Sequence, residues 1–129
     1  MVTNTFNKTD SKFKAKDVSR GDIYYVKLSS TEGSVQTGAR PVVVVQNNKG
    51  NEYSSTLIVI PLTSKNKKCM PTHVEVGTEG GLYKNSTILC EQILTVDKSS
   101  IVKYIGKLSP DTMRRVSQAL CISLSLQVA

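Results

Sequence analysis

The chain reads as short apolar runs separated by polar and glycine-rich breaks, with a change of period near its C-terminus. Residues 23–28 have the composition of a strand. Residues 42–45 are four consecutive valines, led in by Arg40-Pro41 and closed by Gln46-Asn47, which predicts a strand buried on both faces. Residues 56–63 predict a third strand, again apolar on both sides; Pro61 lacks an N–H for a sheet ladder and so marks an edge or a bulge. Residues 72–76 alternate, with Thr72, Val74 and Val76 on one face and His73 and Glu75 on the other, as in a half-buried strand. Residues 86–91 and 101–108 complete a set of about six strands.

Between these runs lie the punctuation marks. Residues 29–39 form a long loop carrying Gly33 and Gly38, and a loop of that length between neighbouring strands is more often functional than idle. Asn48-Lys49-Gly50-Asn51 breaks the chain after the second strand, Lys65 to Lys68 make a basic turn, and residues 77–84 hold three glycines in a further loop. After residue 108 the period changes. Ser109 is a good N-cap, Pro110 suits the first helical position, and Asp111 favours the positive end of the helix dipole. Met113, Val116, Leu120 and Leu124 then recur at spacings of three and four, predicting a helix that lays this face on the core. Strands followed by one terminal helix predict a mostly β fold with helices, an α+β sheet or barrel closed by the helix.

The 129 residues suffice for one domain with a real core. Residues 1–19 are rich in Asn, Thr, Lys and Asp, with Phe6 and Phe13 as the large apolar residues, and predict a flexible N-terminal tail ahead of a single domain over 20–129. No run of about 18 apolar residues is present, so no transmembrane helix is expected, and the polar first ten residues do not resemble a signal peptide. Cys69, Cys90 and Cys121 are widely spaced and only one histidine, His73, is available, so neither a zinc site nor a disulfide framework is expected. No metal or other cofactor is expected, and reduced thiols fit a cytoplasmic protein. Lys and Arg number 17 against 10 Asp and Glu, a net charge of +7 that favours an anionic partner, first of all a nucleic acid.

Arg40 is the leading candidate for chemistry: its forked guanidinium stands at the mouth of a rigid strand, just after the long loop, where it can meet a phosphate. Around it, Arg20-Gly21-Asp22-Ile23-Tyr24, Gly33-Ser34, 40–47, Pro71-Thr72-His73-Val74-Glu75 and Glu91-Gln92-Ile93 with Thr95 and Asp97 closely resemble the MazF/PemK toxins of bacterial type II toxin–antitoxin pairs, in order and at similar spacing from about Arg20 to Leu126. The likeness is greatest to the MazF toxins of Gram-positive bacteria. It implies an SH3-like barrel of the CcdB/PemK/MazF type, a homodimer, and a cognate MazE-like antitoxin that covers the RNA groove partly with an acidic segment. It further implies a sequence-specific endoribonuclease, an mRNA interferase. Such an enzyme cuts single-stranded RNA without a metal, leaves 2′,3′-cyclic phosphate and 5′-hydroxyl ends, and so arrests translation.

Under that resemblance Arg40 and Thr63 match the family's catalytic arginine and threonine. Arg40 serves as a transition-state stabiliser rather than a base, because a guanidinium stays protonated; the Thr63 hydroxyl can donate to a phosphate oxygen. Ser34, Gln36, Thr37, Ser64, Lys65, His73, Glu91 and Gln92 are candidate RNA contacts, and Tyr53, Tyr83 and Tyr104 are candidate stacking residues with nothing in the sequence to rank them. The chain departs from its relatives in the loop before Arg40. They commonly read Gly-Ser-Glu-Gln-Gly-Gly, where this chain has Gly33-Ser34-Val35-Gln36-Thr37-Gly38, so no carboxylate stands at Val35 to act as a base. Two other readings of the same fold remain open at this point: a CcdB-like topoisomerase poison, and an RNA-binding barrel that does not cut.

Overall fold

A computed structural model describes residues 17–28, 38–65 and 68–127. Seven strands and two helices follow one another as β1 (Asp22–Leu28), β2 (Gly38–Val44), α1 (Asn48–Tyr53), β3 (Thr56–Thr63), β4 (His73–Gly77), β5 (Ser86–Leu89), β6 (Leu94–Asp97), β7 (Ile101–Lys107) and α2 (Pro110–Leu124). All strand pairs are antiparallel, in the order β4-β5-β3-β2-β1-β7, with β6 on β3 as well. Among the described residues the sheet does not close into a full barrel, since β4 and β7 are its two ends and are not paired to each other.

The apolar runs of the central strands are explained by two cores, one on each face. Ile23, Val43, Ile60 and Leu62 point to one side, where Val74, Val76, Ile88 and the α2 residues Met113, Val116 and Ala119 cover them. Tyr24, Val26, Val42, Val44, Leu57 and Val59 point to the other side, with Ile101 and the half-buried Leu94 and Val96 of β6 packed on them. A strand with a core on both faces needs large apolar residues at successive positions, and the valine run supplies them.

Pro61 sits in the middle of the sheet rather than at its rim, and the pairing shows how it is accommodated. The Ile58 carbonyl faces β2, where it accepts from the Val45 N–H at 3.0 Å. By two-residue alternation Pro61 presents its nitrogen to the opposite edge. On that edge β3 pairs with β6 over Thr56–Val59 and with β5 from Leu62 on, so the missing N–H falls where the partner changes.

The Arg20-Gly21-Asp22 segment is a staple. Arg20 donates from Nε to the Val45 carbonyl (3.0 Å) and from a terminal nitrogen to Ser117 Oγ of α2 (3.0 Å). Gly21 donates to the Val44 carbonyl and accepts from the Leu108 N–H. Asp22 is fully buried and accepts from the Tyr24 hydroxyl and the Ser19 N–H, both at 2.9 Å. Val18 is 4% exposed and belongs to the second core, so the described end of the N-terminal segment packs on the sheet.

Two elements were not legible as such. Asn48 to Asn51 read as a turn, yet the Asn47 side chain caps a six-residue helix by accepting from the Gly50 N–H, and buried Asn51 is held by Gln46. β6 is only four residues long and only its two inward positions are partly buried, too weak an alternation to stand out. The α2 start is as the sequence predicts: Ser109 Oγ accepts from the Thr112 N–H, and Pro110 takes the first turn. Its far end differs, because Leu124 is 52% exposed and the inward face is Met113, Val116 and Ala119 with Leu120 at its edge.

Glu79, from the turn after β4, clamps the start of α2, accepting from the Ser109 N–H and the Thr112 hydroxyl, both at 2.7 Å. Partial burial pushes its carboxyl up, but these two hydrogen bonds outweigh it and hold the group below the ordinary carboxylate value. A lowered folded value means that the ionised clamp stabilises the fold above the unfolded carboxyl pKa of about 4.3 and is lost as pH falls through the lower, folded one. Glu79→Gln is therefore expected to cost about 1 kcal/mol at neutral pH. Urea denaturation of both proteins should show that difference shrinking as the pH is taken from about 6 down to about 3; a constant difference would mean the charge is not what the clamp uses.

Candidate active site

The ends of β2 and β3 open into a groove of about 640 Å³. The register sets its centre. Val44 lies opposite Val59 and Val42 opposite Pro61, the last pair of the ladder, and Arg40 and Thr63 each stand two residues beyond it. Both residues line the groove, with Tyr25, Ser64, Tyr83, Lys84, Ser86 and Lys103 among the polar and aromatic side chains around them. Residues 23 positions apart in sequence thus face one space because two rigid strands run antiparallel.

Arg40 is half-buried, and its Nε is buried with no hydrogen-bond partner among the described residues. A buried donor left unpaired costs roughly 1–3 kcal/mol, which an anion in the groove repays. Thr63 is 5% exposed and its Oγ1 accepts from the Lys65 N–H at 3.2 Å, so it does cap the turn that follows; that bond uses an oxygen lone pair and leaves the hydroxyl proton to give. Arg40, Lys84 and Lys103 are the charged residues of the lining, and no carboxylate is among its described members. The field in the groove is therefore positive.

Ser64 also lines a smaller neighbouring groove of about 250 Å³ with Lys65, Glu75, Asn85, Ser86 and Thr87, and the two share Ser64 and Ser86 as a common wall. Ser64 thus stands on the wall common to both grooves, and Lys65 lines the smaller one. Ser34, Gln36 and Thr37, with Val35, lie outside the described residues.

His73, Glu91 and Gln92 line neither groove. His73 Nε2 and Glu91 Oε2 are 3.1 Å apart, and Glu91 also accepts from the Thr72 hydroxyl at 3.0 Å. Burial pushes the Glu91 carboxyl up, but hydrogen bonds from its own N–H, His73 and Thr72 bring it below its ordinary value. These three tie the start of β4 to the end of β5, and the Gln92 N–H closes the following turn on the Leu89 carbonyl. Conversely, Tyr25, Lys84, Ser86 and Lys103 were not singled out by sequence. Each is ordinary by composition, and only the pairing of β1 with β2 and β7 brings Tyr25 opposite both Pro41 and Lys103.

Among the described residues no helix is long and apolar enough to cross a membrane. Cys90 is buried, which pushes its thiol up to about 12, while Cys69 is exposed and Cys121 half-buried, and all three are free thiols.

Comparison with known proteins adds to this geometry. Residues 19–124 match the family described as PemK-like, MazF-like toxin of type II toxin–antitoxin system. The chain is 47% identical over 109 residues to an endoribonuclease MazF of Staphylococcus saprophyticus, a match covering 83% of this chain and 91% of that one. Among solved structures it resembles an endoribonuclease from a mycobacterial species in complex with its cognate antitoxin. There the TM-score is 0.74 and the identity 27%, over 87% of this chain and 99% of the other. It also shares the fold of a MazF from Deinococcus radiodurans (TM-score 0.74, 20% identity, 84% and 97% covered).

Proposed function

This chain belongs to the PemK-like, MazF-like toxins of type II toxin–antitoxin systems, and from that premise we propose that it is an endoribonuclease whose active centre is the Arg40–Thr63 groove. The observation that carries the assignment is the half-buried arginine whose Nε has no described partner, sharing with a threonine that has a proton to give a groove lined by cations. The substrate is single-stranded RNA, whose unpaired bases can be splayed into a groove of this size.

In the reaction the 2′-hydroxyl attacks the adjacent phosphorus and loses its proton, and the bond to the 5′-oxygen breaks as that oxygen gains one. The products are a 2′,3′-cyclic phosphate and a 5′-hydroxyl. Between these states the phosphorane carries extra negative charge on its non-bridging oxygens. The Arg40 fork supplies two donors and a full positive charge to that arrangement, and the Thr63 hydroxyl supplies a third donor. Both belong to strands held between two cores, so little reorganisation accompanies the reaction. Water is the acceptor of the cyclic phosphate only in a later step, and cleavage itself is complete without a metal.

As a toxin the protein cuts cytoplasmic mRNA until its own MazE-like antitoxin occupies the groove, an acidic segment of the partner lying against Arg40, Lys84 and Lys103. The mycobacterial structural neighbour in complex with its antitoxin supports this pairing. A homodimer is supported by the exposed apolar side chains Ile122, Leu124 and Leu126 at the end of α2, which a second copy would cover.

The test is incubation of a long single-stranded RNA with the protein in excess EDTA, followed by mapping of the new 5′ ends. Discrete cuts at one short sequence, with 5′-hydroxyl ends, are expected. RNA left intact by folded protein, or cuts that appear only when a divalent ion is restored, would sink the reading and favour a toxin of this fold that binds without cutting.

A further inference from the structure

We propose that Tyr83 is a base-stacking residue of the cleavage groove, holding one nucleotide beside the scissile phosphate; the inference rests on the endoribonuclease reading above. The five tyrosines separate cleanly by environment. Tyr24 is fully buried and donates to Asp22, and Tyr104 is half-buried with its ring edge-on to Tyr24 at 5.6 Å. Tyr53 is 75% exposed but lies on α1 and lines neither groove. Tyr25 is half-buried within the groove. Tyr83 alone is both completely exposed and part of the wall that faces Arg40 and Thr63.

A phenol ring with no buried surface contributes nothing to the hydrophobic stabilisation of this fold, so folding does not explain its presence. Its backbone, in contrast, is firmly held. Leu82 is 7% exposed and anchors the residue before it in the core. Gly80 and Gly81 press against the backbone of β7, and the Lys84 carbonyl accepts from Ser86 Oγ at 2.7 Å. The ring is thus a platform on a fixed stem. A tyrosine so placed loses only two side-chain torsions on binding, a small ordering cost. Lys84 next to it and Lys103 across the groove draw the phosphates on either side of the stacked base. Stacking tolerates any base, so Tyr83 sets where a nucleotide sits, and hydrogen bonds elsewhere set which one it is.

The experiment uses short single-stranded RNA carrying the mapped cleavage sequence, and a set of the same oligonucleotides with one abasic position each. Tyr83→Ala is expected to raise KM about 5- to 150-fold, with kcat within about threefold of the parent, while Tyr83→Phe behaves as the parent. One abasic position next to the cut should cost the parent protein that same factor and cost Tyr83→Ala nothing further. Because the ring is fully exposed, the melting temperature of Tyr83→Ala should equal that of the parent, which separates a binding role from a structural one.

A parent protein that cleaves while Tyr83→Ala keeps the same KM would overturn the stacking role and leave the endoribonuclease reading standing. Equal abasic losses in both proteins would overturn it too, as would unchanged RNA kinetics with weakened antitoxin binding. A parent protein that neither cuts nor binds the oligonucleotides would take both proposals down together.

Discussion

Arg40→Ala is expected to lower the rate of RNA cleavage about 10³-fold while leaving the fold and most of the RNA affinity in place. The large effect follows from the role proposed for the arginine at the transition state. The substrate phosphate already carries one negative charge, which Lys84 and Lys103 also attract, so ground-state binding is shared among three cations. In the proposed mechanism the additional charge of the phosphorane develops between Arg40 and Thr63, which share the groove. An interaction that strengthens only there lowers kcat when removed, with little change in KM. Stability should hardly move, because the Nε that is lost has no partner among the described residues. Arg40→Lys is expected to recover only part of the rate, since an ammonium offers a point charge in place of a fork. Single-turnover kinetics beside fluorescence anisotropy of a bound oligonucleotide would separate the terms. A variant that cleaves at the parental rate would remove Arg40 from the centre of the mechanism.

The second large effect concerns stability. Gly106 of β7 faces the turn at Glu79–Gly81 so closely that a Cβ on it would lie 1.7 Å from the Gly80 oxygen and 2.6 Å from the Gly80 carbonyl carbon. Ordinary carbon–carbon contact is roughly 3.5–4.0 Å. The obstacle is backbone, which cannot turn aside as a side chain can, so the turn itself has to move. That turn carries Glu79, the clamp of α2, and leads into Leu82 of the core and Tyr83 of the groove. Gly106→Ala is therefore expected to cost about 3 kcal/mol and to lower the melting temperature by more than about 10 °C. Gly38→Ala is the instructive comparison. Gly38 has a φ of 80° but nothing among the described residues within 4 Å of an added Cβ, so its expected cost is conformational, about 1–2 kcal/mol. Thermal unfolding of the two variants decides between crowding and backbone strain: if Gly38→Ala melted lower than Gly106→Ala, the close approach of β7 to the turn would not be what holds this corner together.

How far the sequence reached can be judged from these same places. The valine run announced a strand buried on both faces, and the two cores bear that out. Ser109 and Pro110 announced the start of α2, because a cap depends on a few adjacent residues. Arg40 stood out by its place at the mouth of the valine strand and Thr63 through resemblance; that they line one groove depends on the antiparallel pairing of β2 with β3, a long-range fact that no local pattern encodes. The same holds for Tyr25, Lys84 and Lys103. Pro61 was expected at an edge or bulge, on the sound ground that it cannot donate, and the sheet meets that constraint by changing partner there instead. His73 and Glu91 were open to two readings, an RNA contact or a structural hydrogen bond, and the structure shows the bond between them while His73 Nδ1 stays buried without a partner among the described residues. β6 and α1 were missed because each is too short for its period to show against turn residues.

The two-sided burial of β2 and β3 has a consequence for how such a protein can change over generations. Arg40 and Thr63 project from the ends of strands whose central residues, 42–44 and 59–62 among them, are buried, so a substitution at those central positions disturbs packing before it can retune anything. Tyr83 and Lys84 hang from a turn with one covered side, and their exposed side chains can be exchanged at almost no cost to the fold. Drift at the rim of the groove can therefore change how firmly a bound strand is seated while the buried strands beneath it stay as they are.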